Sequence, residues 1–157
     1  RWLSTLEAFY YCFSVPPWSK NISRSLIKEP KLYLWDWSLI TDNIGAVAEN
    51  FIACHLYKAV NCWNNQGLGK YGLYYLRTKE QVEVDFLVVK NDEPWFLVEV
   101  KYSASNSLSK SLYFFQETIK AKHAFQVVID MEYVDIDCFK YSEPIIVPVK
   151  TFLSQLI

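Results

Sequence analysis

Two short hydrophobic segments that carry charged residues constrain the fold of this chain more than any other feature. They span residues 82–89 and 95–102, and both are rich in the β-branched and aromatic residues that favour strands. The stretch 90–94 between them is polar and contains a proline, which is typical of a turn. The three segments together predict a β-hairpin.

The charged residues of this hairpin are predicted to face one another. If the hairpin is symmetric about Asp92, Asp85 lies opposite Glu99. Side chains alternate along a strand, so Lys101 shares a face with Glu99. The sequence therefore predicts an acid facing an acid, with a lysine beside them, on two otherwise apolar strands.

Such a pair of acids needs an explanation. Two carboxylates about 4 Å apart repel each other by roughly 1 kcal/mol in water and about 4 kcal/mol at an effective dielectric of about 20. A divalent cation between them removes this repulsion, and Mg²⁺ favours one or two carboxylates with waters and phosphate oxygens. Three alternatives remain open: a solvated strand face, a diagonal ion pair between Asp85 and Lys101, and a one-residue register slip that separates Asp85 from Glu99.

Composition describes a single foldable domain with no general affinity for polyanions. The 157 residues are 52% hydrophobic and 21% charged, and the net charge is −1. No global positive field attracts nucleic acid, so any such binding depends on local patches. The candidates for such a patch are Lys20, Arg24, Lys28 and Lys31.

The cysteines indicate a reducing environment. Cys12, Cys54, Cys62 and Cys138 show no metal-binding or C-x-x-C spacing, which favours structural thiols. No signal peptide and no apolar run long enough to span a membrane is seen, so we expect a cytoplasmic protein with no membrane partner. The chain begins with Arg1 inside a hydrophobic pattern, which is typical of a fragment of a longer protein.

The first 40 residues are predicted to form a small, mainly helical appendage. Apolar residues recur at helical spacing over 2–13, and Pro16 and Pro17 end that pattern. A weaker helical stretch covers 22–27, and 31–35 predicts a short strand. We expect this appendage to pack on the residues that follow.

Residues 41–157 are predicted to form an α/β domain. A long helix begins near Asp42 or Asn43, both good N-caps, and loses its pattern near residue 64. The segments that follow are strands at 73–78, 82–89 and 95–102, a helix over 108–119, strands at 125–129 and 145–149, and a closing helix over 152–156. This order predicts a sheet sandwiched between helices.

Glu49, an acidic residue of the long helix, has two possible interpretations. It borders the apolar stripe formed by Ile52, Ala53 and Leu56, so it can point inward beside the sheet. Alternatively, it is an acid near the positive end of the helix, although that benefit fades beyond the first turn.

Other common catalytic motifs are absent from the sequence. The glycines of Gly67-Leu68-Gly69-Lys70 are too close together for a phosphate-binding loop, and Tyr71 stands where that motif needs a serine or threonine. No G-x-S-x-G motif is present either, which argues against serine hydrolase chemistry.

Helix-borne Glu49, then Asp85, then Glu99-Val100-Lys101, in an αβββαβ order, resembles the PD-(D/E)XK restriction-endonuclease-like superfamily. More narrowly, the chain resembles the domain of unknown function found C-terminal to the P-loop ATPase module of many archaeal and bacterial AAA-type proteins. The segments that carry this likeness are Pro30–Asp36, Gly45–Phe51, Tyr74–Arg77, Glu83–Phe86, Val98–Lys101 and Val147–Leu153. Trp37 departs from the pattern, since the family usually has a small residue there.

The resemblance implies a fold and a site. The fold would be a restriction-endonuclease-like core with a mixed central sheet, and residues 1–40 would be a winged-helix-like remnant. Asp85 and Glu99 would hold Mg²⁺ or Mn²⁺, Lys101 would orient or activate the attacking water, and Glu49 would complete the acidic cluster.

Three functions follow as expectations. The first is the C-terminal nuclease-like domain of a P-loop ATPase, with Mg²⁺-dependent phosphodiester hydrolysis or nucleic-acid processing. The second is a non-catalytic module that binds nucleic acid or protein and regulates the ATPase. The third is an architectural domain that forms oligomers through its aromatic surplus.

Overall fold

The structure, a computed structural model, describes residues 2–19, 29–41, 43–103 and 107–156. Its elements in chain order are α1 (Trp2–Ala8), β1 (Cys12–Val15), β2 (Lys31–Leu34), a 3₁₀ turn (Trp37–Leu39), α2 (Ile44–Asn65), β3 (Tyr71–Arg77), β4 (Glu83–Lys90), β5 (Glu93–Ser103), α3 (Lys110–Ile119), β6 (His123–Asp130), a 3₁₀ turn (Cys138–Lys140), β7 (Ile145–Pro148) and α4 (Val149–Leu153).

A mixed five-stranded sheet lies at the centre, with the strand order β3-β4-β5-β6-β7. The pairs β3–β4 and β4–β5 are antiparallel, whereas β5–β6 and β6–β7 are parallel. A parallel pair needs a crossover connection, and α3 supplies it between β5 and β6. The predicted mixed α/β class, with a sheet flanked by helices, is confirmed.

Helices cover both faces of the sheet. Residues of α2, α4 and the β1–β2 pair pack on one face, where Phe86, Val98 and Phe125 are fully buried. α3 packs on the other face, where Leu87 and Leu97 are fully buried. Successive apolar residues of β4 and β5 therefore lie in two separate hydrophobic clusters, one on each face, as a sheet between two helical layers requires.

The long helix α2 forms where the sequence predicts it. Asn43 is its N-cap, and the side-chain oxygen accepts a hydrogen bond from the Ala46 N–H at 2.9 Å. Ile52, Ala53 and Leu56 lie on the buried face and are fully shielded from solvent. Like every other helix in the described ranges, α2 lacks a stretch apolar and long enough to cross a membrane.

The predicted helix over 2–13 is wrong beyond Ala8. Tyr10 adopts a left-handed backbone conformation, with φ at 55°, and the chain then enters β1. β1 pairs antiparallel with β2, and this pairing buries Phe13 and Val15 beside Tyr33 in the core under α2. Long-range strand pairing thus overrides the local helical spacing of these apolar residues.

The described part of the N-terminal segment is joined to the central sheet by backbone hydrogen bonds. The Tyr75 N–H donates to the Pro16 carbonyl at 3.1 Å, and the Trp18 N–H donates to the Tyr75 carbonyl at 2.9 Å. These bonds extend the free edge of β3. The weaker helix predicted over 22–27 lies outside the described residues.

The turn of the β4–β5 hairpin differs from the predicted symmetric turn. Lys90 pairs with Glu93, so the loop contains only Asn91 and Asp92. Both loop residues have positive φ angles, 52° and 67° respectively. Two left-handed residues in succession are the signature of a tight hairpin turn whose twist matches that of the strands. The centre of the turn therefore lies between Asn91 and Asp92.

A β-bulge restores the predicted register beyond the turn. The register shifts between Val88 and Val89, next to Pro94, which has no N–H to donate to the ladder. Past the bulge, Phe86 pairs with Val98, which is the pairing that symmetry about Asp92 predicts. The turn prediction was wrong by half a residue, and the bulge compensates for it.

Asn50 fixes the β1–β2 pair to α2. Its side-chain oxygen accepts from the Leu34 N–H at 2.8 Å, and its amide nitrogen donates to the Leu34 carbonyl at 2.6 Å. Only 3% of Asn50 is exposed. One buried amide thus satisfies both backbone groups at the end of β2.

Replacing Asn50 by alanine should destabilise the fold by about 2 kcal/mol, because it leaves the buried Leu34 N–H without its partner and the Leu34 carbonyl with the weak Cys54 thiol donor. Urea denaturation measures the change. Asn61→Ala is the matched control, since Asn61 is an exposed residue of the same helix that bonds to the Tyr57 carbonyl one turn away. It should change stability by no more than about 0.5 kcal/mol. Equal effects in the two variants would contradict the role given to Asn50.

Candidate functional site

Asp85 lies in a second β-bulge, on the opposite edge of β4. The register between β3 and β4 shifts between Tyr74 and Leu76, so Asp85 and Phe86 together face the single residue Tyr75. Bulges of this kind bend a strand and redirect a side chain that regular alternation would place elsewhere. The backbone at Asp85 is therefore already distinct from the rest of β4.

The Asp85 carboxylate occupies the place where the β4–β5 ladder ends. The last backbone pair is Phe86 with Val98. Beyond it, the Val100 N–H donates to Asp85 Oδ2 at 2.8 Å instead of to a carbonyl of β4. Continuing the register by one residue places Asp85 opposite Glu99. The carboxylate thus sits between two strands rather than on one sheet face.

Glu99 carries a buried oxygen that has no partner. Lys101 Nζ donates to Glu99 Oε1 at 2.9 Å, so the lysine pairs with Glu99 and the alternative of a direct Lys101–Asp85 ion pair is not realised. Glu99 is 8% exposed, and its Oε2 is the single buried side-chain oxygen or nitrogen in the described part of the chain without a hydrogen bond. A buried carboxylate oxygen without a partner is costly unless a ligand or ion satisfies it.

Lys31, from β2, lies among three carboxylates. Its Nζ is 2.9 Å from Glu49 Oε1 and 3.7 Å from Asp85 Oδ1, and it makes a still closer contact with Glu83 Oε1. The side chain is 17% exposed. The expectation that Lys31 contributes to a basic surface patch is therefore wrong, because its charge is neutralised inside the protein. The other residues of that patch lie outside the described ranges.

Glu49 points toward the strands, as the inward alternative predicts. Its Oε1 accepts from Lys31 and also from the Tyr33 hydroxyl, at 2.6 Å. Lys31 and Tyr33 are two residues apart on β2, so both reach the same face. Glu49 is therefore held by the N-terminal strand pair, and the helix-end interpretation does not describe its environment.

We call these residues the acid–lysine cluster. Arg77 belongs to it, because its guanidinium donates to Glu83 Oε2 and lies 5.9 Å from the centre of the Tyr75 ring. When all members are ionised, four carboxylates and three cations leave a net charge of −1. The members are Lys31, Glu49, Arg77, Glu83, Asp85, Glu99 and Lys101.

Burial and neighbouring acids raise the proton affinity of Asp85. Burial, followed by the charges of Glu49 and Glu99, raises the pKa of Asp85 to about 7, although the Val100 N–H and Lys31 act in the opposite direction. Asp85 is therefore poised to gain or lose a proton near neutral pH. A cation bound beside it favours the ionised form.

The two lysines remain protonated at neutral pH. Burial lowers the pKa of Lys31, but the neighbouring charges of Glu49, Glu83 and Asp85 outweigh it, and the net pKa is raised. The same balance holds for Lys101, where burial is outweighed by Glu99 and the pKa is also raised. Both residues can therefore supply positive charge, but neither is suited to accept a proton in this arrangement.

The cluster fits a cation that carries its own water ligands. No group of three or more His, Cys, Asp or Glu is arranged to hold a metal ion within the described ranges. An ion here would rely on Asp85 and Glu99 and on waters, which is the coordination that Mg²⁺ prefers. The unpartnered Glu99 Oε2 supplies a hard oxygen for it. Solvent reaches the Glu49 side through a cavity of about 240 Å³.

The residues predicted for the site all belong to this cluster: Glu49, Asp85, Glu99 and Lys101. The charges of Glu49 and Glu99 act to raise the pKa of both Asp85 and Lys101. Sequence reasoning missed the roles of Lys31, Tyr33 and Glu83. Glu83 could have been identified from its position two residues before Asp85 on the same strand. Lys31 and Tyr33 could have been identified because they alternate along β2 and so share one face of it.

The pKa of Asp85 predicts how stability depends on pH. In the folded, metal-free protein Asp85 keeps its proton up to about pH 7, but its ordinary value is 3.8. Between these values the folded state binds more protons, so the free energy of unfolding falls as pH rises. Asp85→Asn should remove this slope and gain at least about 1 kcal/mol over wild type between pH 5 and pH 8, since one pKa unit corresponds to about 1.4 kcal/mol.

Urea denaturation in EDTA at several pH values measures this difference. Asp92→Asn provides the control, because Asp92 is an exposed acid of the same hairpin whose side chain pairs with Lys70. Its stability should follow that of wild type across the range. Parallel curves for wild type and Asp85→Asn would show that Asp85 titrates normally.

Comparison with protein families gives two matches. The domain of unknown function DUF4143 matches residues 44–151, which is more than half of the chain, and the domain of unknown function DUF8612 matches residues 1–50. Neither curated proteins nor solved structures give a match. DUF4143 domains are commonly found with AAA ATPases, in agreement with the narrower resemblance seen in the sequence. The chain belongs to the DUF4143 family.

Proposed function

We propose that the acid–lysine cluster binds a divalent cation, Mg²⁺ or Mn²⁺, and that the domain hydrolyses phosphodiester bonds of nucleic acid. The observation that carries this proposal is the buried, unpartnered Oε2 of Glu99 in a site where the Asp85 carboxylate fills the end of a strand ladder. Lys101, bonded to the other oxygen of Glu99, adds the positive charge that such chemistry uses.

Support for the reaction class comes from the arrangement of the strands. An aspartate on β4, and a glutamate and a lysine two residues apart on β5, lie in an αβββαβ order with a helical glutamate beside them. This is the pattern by which the chain resembles PD-(D/E)XK nucleases, and a restriction-endonuclease-like core is part of the proposal. A bound ion would neutralise phosphate charge and lower the pKa of its water.

The residues of the chain have distinct roles in this proposal. Asp85 and Glu99 hold the ion, and the Val100 N–H fixes the orientation of the Asp85 carboxylate. Lys101 stays protonated and stabilises negative charge that develops on the phosphate. Glu49 is not assigned as a ligand of the ion, because Lys31 and Tyr33 already donate hydrogen bonds to its Oε1. We assign it a positioning role.

Charge complementarity supports a phosphodiester as the substrate. The cluster has a net charge of −1 when ionised, so one divalent ion changes it to +1. A phosphodiester carries a single negative charge and matches that value. The chain as a whole also carries a net charge of −1, so recognition of nucleic acid would be local to this site.

The proposed setting is the C-terminal part of a P-loop ATPase in the cytoplasm. The family's common occurrence with AAA ATPases supports the partner. Cys12, Cys54, Cys62 and Cys138 are all free thiols, which is typical of a reducing compartment.

A second candidate function is a non-catalytic module that binds nucleic acid or protein, or a further copy of itself, and regulates the ATPase. The observation that favours it is that Lys31 and Arg77 already neutralise Glu49 and Glu83 without any metal. In this case the acids are structural, and the cluster needs no ion. Metal binding distinguishes the two candidates.

Mn²⁺ should stabilise the wild-type protein but not Asp85→Asn. At 100 times its dissociation constant a ligand adds about 2.7 kcal/mol to the free energy of unfolding, which thermal denaturation detects readily. Binding should tighten between pH 6 and pH 8, because the ion displaces the proton that Asp85 holds up to about pH 7. No shift in wild type at any metal concentration would favour the non-catalytic module.

Single- and double-stranded DNA and RNA should be cleaved in the presence of Mg²⁺ or Mn²⁺ by wild type. Asp85→Asn and Lys101→Met should each lower the rate at least about 100-fold, which is the typical cost of losing one charged group that acts in the transition state. Asp92→Asn should cleave at the wild-type rate. Equal cleavage by wild type and Asp85→Asn would place the activity elsewhere or in a contaminant.

A further inference from the structure

An apolar cavity of about 270 Å³ lies where the beginning of α2 meets the ends of β5 and β6. Apolar and aromatic side chains line it, among them Trp37, Ile44, Phe51, Tyr102 and Ile129. The cavity opens to solvent, since 42% of Trp37 and 39% of Tyr102 are exposed. We call it the aromatic pocket. A concave, mainly apolar surface with exposed rings is typical of a ligand site.

Tyr102 joins the aromatic pocket to the acid–lysine cluster. It follows Lys101 directly on β5, and it lies on the same strand face as Val100, whose N–H donates to Asp85 Oδ2. A strand advances about 3.3 Å per residue, so Tyr102 lies roughly 7 Å beyond Val100. That separation is within the span of a single nucleotide. One nucleotide can therefore reach both features.

The helix α2 also places the aromatic pocket beside the cluster. Ala48 lines the pocket, and the next residue, Glu49, belongs to the cluster. The wall of the pocket is fixed by ring packing: Trp37 meets Phe51 edge to face with 5.7 Å between ring centres, and His55 packs against Phe51 at 4.5 Å. The pocket is therefore already formed next to the site.

The size and chemistry of the pocket fit one nucleobase. Cavities that bury drug-sized ligands measure about 300–1,000 Å³, so this slightly smaller one suits a single planar group. Bases stack on aromatic side chains, and every base has a face that can do so. The neighbouring cluster favours a base over an apolar protein side chain, because a phosphodiester bound there carries bases within reach of Tyr102.

We propose that the aromatic pocket binds a base of the nucleotide strand whose phosphodiester lies at the cluster, and that single-stranded nucleic acid is the preferred substrate. This inference rests on the proposed function, because it assigns the substrate class of the same site. Bases in a duplex are paired and stacked, and extruding one costs energy, whereas an unpaired strand presents its bases freely. Recognition by stacking on an apolar surface also predicts little sequence preference.

The test compares two oligomers with the same number of phosphates: a labelled oligothymidylate and a labelled abasic deoxyribose-phosphate oligomer. Fluorescence anisotropy measures their binding to the full chain carrying Asp85→Asn, in EDTA, so that metal-dependent cleavage does not interfere. The oligothymidylate should bind about 5-fold or more tightly than the abasic oligomer, which is the smaller cost of losing one stacked base. Annealing it to its complement, which hides the base faces, should lower its affinity by a similar factor.

Variants of Tyr102 assign this difference to the pocket. Tyr102→Ala should abolish most of the preference for bases, and Tyr102→Phe, which keeps the ring, should retain it. Tyr113→Ala is the matched control, because Tyr113 is an exposed tyrosine of α3, and it should also retain the preference. Should Tyr102→Ala fail to fold, Trp37→Ala removes the other exposed ring and carries the same expectation.

The outcomes separate this inference from the proposed function. Equal affinity for the two oligomers, no binding of either, or an equal loss in Tyr113→Ala would overturn the base pocket and leave the metal site intact. Self-association of the chain that Tyr102→Ala abolishes, without base-dependent binding, would identify a second copy as the occupant and would also overturn it. Base-dependent binding without any cleavage by wild type would support the pocket and favour the non-catalytic module.

Discussion

The ion pairs of Lys31 are the interaction on which the rest of the site depends. Carboxylates of α2 and β4 lie close together in a partly buried place, and they repel one another unless a cation stands between them. Removing one partner of a buried pair typically costs about 3–5 kcal/mol, because the other charge is left uncompensated. The lysine reaches this place only when β1 and β2 pair and dock on α2. The charge balance of the cluster therefore depends on folding of the N-terminal segment.

The candidate site forms where the backbone ladder between β4 and β5 ends, inside an otherwise buried sheet. A continuous ladder would have satisfied the Val100 N–H with a backbone carbonyl and left no space for a carboxylate. Instead, the bulge opposite Tyr75 bends β4, and Asp85 takes the place of the missing carbonyl. A titratable group is thereby held by the sheet itself, next to an acid with an unused oxygen.

Local patterns in the sequence predicted most of the fold and part of the site. Helix α2 and strands β3 to β6 follow from the apolar periodicity and the Asn43 cap, and the pairing of Phe86 with Val98 follows from counting across the turn. The bulge beside the turn was not predictable, because it depends on Pro94 and on the two left-handed residues of the turn acting together. The role of Lys31 was missed for a different reason: its partner Glu49 is 18 residues away, and only docking of β2 brings them together.

The overlap of the two family matches has a consequence for how this protein is divided into modules. The matches share residues 44–50, and this stretch contains both Glu49 and Asn50. One of these residues binds the lysine of the preceding segment, and the other binds its backbone. A cut at residue 44 would thus separate three carboxylates from Lys31, of which, within the described ranges, Glu83 alone keeps another basic partner, Arg77. It would also uncover the aromatic ring of Phe86, which packs on Tyr33. The boundary between the two family matches therefore does not coincide with a boundary between separately packed parts of the protein. The smallest autonomous unit includes residues on both sides of it.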